Sequence, residues 1–289
     1  MDGTKGNIRR GTLYIVSTPI GNLEDITLRA LRTLKEVALI AAEDTRRTAR
    51  LASAYGIGTP LTSLHDWNEA QKTGYILSRL DEGKDVAYVT DAGTPGVSDP
   101  GFVLVREALA RGFRVVPVPG VTAAMAALSV SGLPMDSFVF FAFLPHREGK
   151  KKKFLEAIRD EEKTMVFYES PRRLEETLRM ISEVLGDRPV AVARELTKMH
   201  EEIMRGRIAE ILDRIGGAEI RGEVTLIVGG KEKGARELPE EGIEDLYHRL
   251  RRDPALSTRD IAEIISQQTG LSRKKVYSFI LGLQAGAGR

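Results

Sequence analysis

The chain is predicted to be an α/β protein with two α/β domains facing a shared cleft and a small helical segment after them. Short apolar runs alternate with helical patterns from residue 11 to about 230, the signature of strand and helix units built on largely parallel sheets. Polar turns, glycine-bearing except at 43–48, follow the apolar runs at residues 17–27, 43–48, 91–101 and 117–122, which gathers them on one sheet edge, where open α/β sheets bind ligands. Beyond residue 240 only helical periodicity remains.

The first apolar run, residues 14–16, leads into a proline-containing turn. Residues 26–37 read as a helix, with Leu28, Leu31 and Leu34 at three-residue spacing, Asp25 near the start and Lys35 near the end, charges that complement the helix dipole. The run 39–42 precedes the polar turn 43–48, and helices follow at 68–80 and 102–110, each closed by a glycine, Gly83 or Gly112. Between those helices the run 86–89 opens the longest turn, Asp91-Ala-Gly-Thr-Pro-Gly-Val-Ser-Asp-Pro-Gly101. Its glycines permit close backbone approach, while Pro95 and Pro100 stiffen it. A tail over residues 1–10 and a first domain over 11–119 result.

A small-residue helix at 122–128 enters a second domain, 120–230, with strands at 138–143, 165–168, 190–195, 202–206 and 223–228 and a short helix at 208–215. Residues 231–241 are charged and aperiodic, a linker. The segment 242–289 carries helices at 243–250, 258–267 and 273–281. Ser266, Gly270 and Val276 have helix-turn-helix spacing, and Ser272 as N-cap would present Arg273, Lys274 and Lys275 in one first turn. RNA contact, three-helix packing and dimerisation all satisfy that spacing.

The 289 residues, 42% hydrophobic and 29% charged, suffice for two cores. No run of eighteen apolar residues and no apolar leader segment occur, so nothing is expected to enter a membrane and the cytoplasm is the default compartment. With no cysteine and four histidines, disulfides, thiolate catalysis and Cys/His metal clusters are excluded. A net charge of +2 does not announce a nucleic-acid partner, so that case rests on local clusters. One is Lys150, Lys151, Lys152 and Lys153, read as the first turn of a helix whose dipole they oppose; an external polyanion or simple solvation would accommodate them. G-x-G-x-x-G and P-loop patterns are missing, which removes dinucleotide and nucleoside-triphosphate readings.

Taken together, Ser17-Thr-Pro-Ile-Gly-Asn-Leu, Ala42-Glu-Asp-Thr-Arg, Asp91-Ala-Gly-Thr-Pro, Tyr168-Glu-Ser-Pro and Ala193-Arg-Glu-Leu-Thr197 resemble the tetrapyrrole-methylase-type S-adenosylmethionine-dependent methyltransferases. Within them the chain is similar to the branch that methylates the ribose 2′-hydroxyl of a decoding-region cytidine in bacterial small-subunit ribosomal RNA. The resemblance covers roughly residues 11–230 and continues more weakly to the end. It implies a tetrapyrrole methylase-like fold, S-adenosylmethionine in the interdomain cleft, ribosomal RNA or the assembled small subunit as partner, a homodimer, and no metal. Position by position, it places Pro19 on the adenine side, Asp91, Gly93, Thr94, Pro95 and Val97 in the central loop, and Thr122 and Ala123 after the fifth strand. Phe143 and Leu144 end the first strand of the second domain, and Ala193 and Thr225 complete the cofactor set. Many tetrapyrrole methylases have an acidic residue where Thr94 stands.

Methyl transfer to a ribose hydroxyl is an in-line displacement helped by a proton acceptor. Asp44, Glu43 and Arg46 lead the candidates because they open a helix on the expected substrate side; His65, Asp66, Glu69, Glu169 and Glu195 also stand at strand ends. Sequence does not single out the base, and water is an alternative acceptor. Arg47, Arg172 and Arg173, the four lysines 150–153, and Arg273, Lys274 and Lys275 are the expected RNA contacts, with Arg194 beside them. A small-molecule C-methyltransferase of the same fold and a non-catalytic RNA-binding assembly factor are the competing readings.

Overall fold

A computed structural model describes residues 9–65, 67–96, 99–217, 220–231, 240–253, 256–269, 271 and 273–286. They fall into two compact units: the chain to Arg159 with Lys163–Gly229, and Asp160–Glu162 with the chain from Gly230. Both sheets lie in the first unit.

The first sheet is parallel throughout. Strands β1 (Thr12–Val16), β2 (Leu39–Ala42), β3 (Leu61–Ser63), β4 (Val86–Val89) and β5 (Arg114–Val118) take the order β3-β2-β4-β1-β5. Every residue of β2 and β4 is buried, which is why each reads as an unbroken apolar run instead of an alternating one. Helices α1 (Leu28–Glu36), α2 (Thr45–Ala54), α3 (Glu69–Asp81) and α4 (Phe102–Ala110) connect the strands. Because all five strands run one way, the turns after them emerge from one edge. β4 inserts between β2 and β1, and β5 leaves on the opposite side, so that edge opens between β4, β1 and β5.

Helix α1 starts two residues later than its apolar spacing suggests. Residues Leu23–Asp25 first close a 3-10 turn capped by Asn22, and Thr27 then accepts the Ala30 amide at 3.1 Å. Helix α4 is capped from outside. Its N-cap Gly101 has φ +118 and no side chain to offer, and Glu69 Oε1 takes the amides of Gly101, Val103 and Leu104 at 3.1, 3.1 and 3.3 Å. At Gly101 a Cβ would sit 2.4 Å from the Tyr88 ring, so glycine is required both by conformation and by space.

Helix α5 (Ala123–Val130) leads to the second sheet, formed by β6 (Phe138–Phe143), β7 (Thr164–Glu169), β8 (Pro189–Arg194), β9 (Glu202–Arg207) and β10 (Val224–Val228) in the order β6-β7-β10-β8-β9. β6 and β7 are parallel; the other pairs are antiparallel. Helices α6 (Glu148–Ala157), α7 (Leu174–Leu185) and α8 (Ile208–Ile215) cover one face over a core containing Leu155, Phe167, Leu178 and Leu226. On the other face, Ala124, Ala127 and Leu128 of α5 pack with Val166, Ala191 and Ile227 and with Ile20 from the first sheet's edge.

In the second unit α9 (Glu240–Leu250), α10 (Thr258–Thr269) and α11 (Arg273–Gly286) bury Ile243, Tyr247, Ile261, Ile265, Val276 and Ile280 together. Val276 thus has the buried position expected of it, and Ser266 Oγ donates to the Leu271 carbonyl at 2.7 Å. Gly270 and Ser272 lie outside the described residues. Among the described residues no helix is long and apolar enough to cross a membrane.

Glu69→Ala should lower unfolding free energy by about 1–3 kcal/mol, because it strands amides at a helix start, while Glu69→Gln, which keeps an acceptor, should lose less. Urea titration followed by far-UV circular dichroism measures both; an Ala variant as stable as the parent contradicts the capping role.

Candidate active site

The turns after β1 and β4 are tied to each other. Thr18 donates its amide to the Gly93 carbonyl at 2.8 Å, and Gly93 returns its own to Thr18 at 3.0 Å. The Ser17 and Thr94 hydroxyls meet at 2.8 Å, and Thr18 Oγ1 donates to the Thr90 carbonyl at 3.1 Å. Gly93 reaches this geometry with φ +85. After β5, Thr122 caps α5 by accepting the Met125 amide at 3.3 Å.

Above these turns lies a cavity of about 350 Å³, within the roughly 300–1,000 Å³ of small-molecule sites. Ile20, Ala92, Gly93, Thr94, Asp99, Thr122 and Ala123 line it from the first sheet's edge; Phe143, the turn 168–171 and the segment 222–225 line it from the second sheet. Phe143 reaches it through a bulge in β6, where Ala142 adopts a left-handed φ of 57, a costly conformation of the kind stored at functional sites. Tyr168 packs edge-on to Phe140 and tilted against Phe143, with centroids 5.1 and 5.6 Å away. Burial pushes the Tyr168 phenol above its ordinary value of 10.0, and the Asp99 carboxylate adds to the rise. Asp99, Glu169 and Glu223 contribute to the wall, and none of its described lining residues is Lys, Arg or His.

Six residues expected at the cofactor meet here: Gly93, Thr94, Thr122, Ala123, Phe143 and Thr225. The others are placed differently. Leu144 is buried in the core beneath α6 and α7, and Ala193, opposite Thr225 in the β8–β10 ladder, packs into the core under α5. Pro95 is buried without lining the cavity, and Pro19 and Asp91 border a smaller hollow of about 120 Å³ with Arg47, Arg50 and Thr90. Val97 and Asp66 lie outside the described residues.

Glu43, Asp44 and Arg46 do not line the cavity either; they lock the ends of β2 and β4. Asp91 accepts the Asp44 amide at 3.0 Å, and Glu43 accepts the Asp91 amide at 3.2 Å. Arg47 Nε stands 3.4 Å from Asp91. Asp44 caps α2 and grips its own neighbour, taking the Arg46 amide at 2.8 Å, Nε at 3.0 Å and Nη2 at 2.7 Å. The Arg46 guanidinium and amide hold the Asp44 carboxyl well below the usual carboxylate range, so it is a poor proton acceptor. Glu69 is the α4 cap. Glu195, at φ 50, accepts Lys198 Nζ at 2.8 Å, and that bond leads in holding its carboxyl low. His65 Nε2 faces the Asn68 amide nitrogen at 3.1 Å.

The lysine cluster needs a correction. The helix begins at Glu148, and Lys151 is fully buried, its Nζ 2.8 Å from Glu176 and 3.2 Å from Thr177. Thr177 donates to Glu169 at 2.7 Å, and Glu169 also binds Arg173 Nε at 2.8 Å and Nη2 at 3.0 Å. Lys151 and Arg173, both expected on RNA, are therefore parts of one internal network that fixes the end of β7. Lys152 pairs with Glu183 at 2.7 Å, whereas Lys150, Lys153 and Arg172 are exposed. Arg194 pairs with Glu202 at 3.1 Å. Within the second unit Arg273 pairs with Glu263 at 2.9 Å, and Lys274 and Lys275 are exposed.

Sequence reasoning passed over Asp99, Tyr168 and Glu223. The signals were present: Asp99 stands between positive-φ glycines Gly96 and Gly101, and Glu223 follows Gly222 at φ +96.

A parallel sheet joined to a mixed sheet, with an acidic, backbone-rich cavity at its carboxyl edge, defines a class in which one small ligand is held by turns. The chain belongs to the Tetrapyrrole (Corrin/Porphyrin) Methylases, whose family model matches residues 12–212. Within that family it is 44% identical over 95% of its length, and 98% of the other's, to Ribosomal RNA small subunit methyltransferase I of Pseudomonas aeruginosa. The protein of the same name from Thermotoga maritima is 49% identical, over 77% of this chain and 100% of that one. Among solved structures, diphthine synthase has the same fold with TM-score 0.61 at 15% identity, over 76% of this chain and 90% of that one. Uroporphyrin-III C-methyl transferase from Thermus thermophilus, complexed with S-adenyl homocysteine, has TM-score 0.55 at 23% identity, over 76% of this chain and 97% of that one.

Asp44 gives a pH signature. Folding lowers its pKa from 3.8, so its stabilisation is complete above the unfolded value and is lost as pH falls toward the lower folded one. Carboxyl-carbon NMR should find Asp44 still ionised at pH 3.8, the ordinary aspartate value, and Arg46→Ala should raise its titration toward that value. An Asp44 that titrates at the ordinary value contradicts the pairing.

Proposed function

We propose that the protein uses S-adenosylmethionine to methylate the ribose 2′-oxygen of a cytidine in the decoding region of small-subunit ribosomal RNA, acting as a homodimer. The observation that carries the cofactor is the cavity lining: Asp99, Glu169 and Glu223 and no cation among its described lining residues, with Glu169 and Glu223 paired from outside it to Arg173 and Lys198. Such a lining offers carboxylates and no cation to a ligand, which suits a cationic cofactor better than a phosphate-bearing one. S-adenosylmethionine supplies a methyl group on positively charged sulfur and has an apolar adenine. Ile20, Phe143 and Val224 offer apolar wall for the base. The Gly93 backbone and the hydroxyls of Thr94, Thr122 and Thr225 offer polar partners for ribose and amino acid. Carboxylates opposite the sulfonium lower the energy of the bound cation without competing for the methyl group.

The substrate is read from the names of the full-length relatives together with the cations outside the cavity. Arg46 and Arg47 on α2, Arg172 beside the cavity turn, and Lys150 and Lys153 on α6 expose their side chains and suit phosphate contacts. Lys274 and Lys275 offer the same chemistry on the second unit. This division suits an enzyme that brings RNA to such a cavity, with the backbone held by cations outside it while only the target ribose enters. The Asp44–Arg46 pair then serves to position RNA, with the proton accepted elsewhere.

Tritium transfer from labelled S-adenosylmethionine to small subunits, followed by nucleoside mapping, tests the proposal. Label in 2′-O-methylcytidine, undiminished by a chelator, is expected; label on a base or on a small molecule contradicts it. Gly93→Val, which forces a branched residue into φ +85 beside Ile20, should weaken cofactor binding at least about tenfold by calorimetry.

A further inference from the structure

Trp67 is the chain's single tryptophan and is 97% exposed, although an indole is one of the largest apolar surfaces a side chain can leave in water. The turn that carries it is tied down. The Asn68 amide donates to the His65 carbonyl and Asn68 Oδ1 accepts the His65 amide, both at 2.9 Å, while Asn68 Nδ2 donates to Ser63 Oγ at 3.2 Å. These bonds close the chain around Trp67 and fasten it to the end of β3. Tyr75 and Phe102 are also exposed, but Lys72 and Arg79 stand over the first ring and Arg106 over the second.

The neighbourhood of Trp67 is basic. β3 is an edge strand parallel to β2, with Ser63 opposite Ala42 and the Leu64 amide on the Ala42 carbonyl at 2.7 Å, so its turn emerges beside the start of α2. That helix holds Arg46, Arg47 and Arg50 and no carboxylate. Asp44, its cap, engages Arg46, whose side chain is still 88% exposed. Between α2 and β3 runs a shallow groove lined by Thr45, Arg46, Ala49, Leu61, Thr62 and Ser63, and Lys72 reaches Thr62 from α3 at 3.0 Å. The groove presents hydroxyls and a guanidinium, and its Ser63 is bonded to the residue after Trp67.

We propose that Trp67 stacks on an unpaired base of the substrate RNA while the groove beside it takes the adjoining phosphates. This rests on the reading that RNA is the substrate. A flat aromatic face next to cations and hydroxyls recognises single-stranded nucleic acid, because every base has a face to stack on and every phosphate a charge. A protein docking by apolar area would find only Ala49 and Leu61 in the groove to extend that of Trp67. In the order β3-β2-β4, β3 lies two strand spacings, about 10 Å, from the strand whose turn carries Gly93. The stacked base therefore belongs to a nucleotide near the methylated one and not to that nucleotide.

The test follows the full chain in single turnover with saturating S-adenosylmethionine and rising concentrations of small subunits. Trp67→Ala should raise the subunit concentration for half-maximal rate about 5–150-fold, leaving the saturated rate and the affinity for S-adenosylhomocysteine as they were. Trp67→Phe should restore most of that loss and Trp67→Leu little, since stacking needs a ring and a purely apolar contact does not. Salt dependence should be unchanged in Trp67→Ala, whereas Arg46→Ala should lower its slope by about 0.7, one phosphate on a single strand. Trp67 emission, taken as the difference between wild-type and Trp67→Phe mixtures, should be quenched when subunits bind. Wild-type half-saturation in Trp67→Ala overturns the proposal, as does a Leu variant equal to the Phe variant. Emission that moves to the blue without quenching marks a protein contact, and emission that changes with protein concentration alone marks a second copy; either overturns it too. If the wild-type protein labels no RNA, the reading of the substrate fails; if it labels RNA and Trp67→Ala matches it, the stacking role alone fails.

Discussion

Two hydrogen bonds between Thr18 and Gly93 hold this site together. β1 and β4 are neighbours in a parallel sheet, and parallel strands release their turns side by side without pairing them. The reciprocal amide–carbonyl exchange joins those turns into one surface, and the Ser17–Thr94 hydroxyl contact and the Thr18–Thr90 bond brace it. With that surface fixed, Thr94 and Asp99 are carried on one turn and Thr122 on the next. The second sheet is arranged toward the same place by different means: a left-handed bulge at Ala142 turns Phe143 into the wall, and the Glu169–Arg173–Thr177–Lys151 network fixes the end of β7.

That network explains why cations are sorted as they are. A lysine buried without a partner would carry a large desolvation cost, yet Lys151 reaches Glu176 and Thr177, and through Thr177 the buried Glu169. Arg173 completes the pairing with Glu169, so neither cation is offered to a ligand and neither lines the cavity. The wall stays acidic while exposed cations stand on α2, on α6 and at Arg172. Ligands of opposite charge, a sulfonium and a polyanion, can be held by one chain because their fields are separated in this way.

Much of this was legible in the sequence. Apolar runs such as Leu39–Ala42 and Val86–Val89 named their strands because both faces are buried, and the turns that follow named the edge. β3, Leu61–Ser63, offered no such run; it is an edge strand whose residues are only partly buried. The motif Asp91–Gly101 was recognisable as a site, but not which carboxylate in it faces the cavity, since Asp91 is turned to Asp44 and Arg47 by contacts 47 and 44 positions away. Lys151 looked like its three neighbours because its partners lie in a helix 25 residues further on. Glu69 read as a candidate base for the same reason: its amide donors belong to the next helix. Local pattern identifies turns and faces; the ionic partner of a side chain is set by the tertiary fold.

The central claim is that the turns joined by Thr18 and Gly93 hold a cationic adenosyl ligand against an acidic wall. A crystal structure of the protein with S-adenosylmethionine tests it most directly. The account predicts the ligand among Gly93, Thr122, Phe143 and Thr225, with its sulfonium on the side of Asp99 and Glu223 and no phosphate or metal beside it. Ligand density in the hollow lined by Pro19, Arg47 and Thr90, with the larger cavity left to solvent, would contradict it.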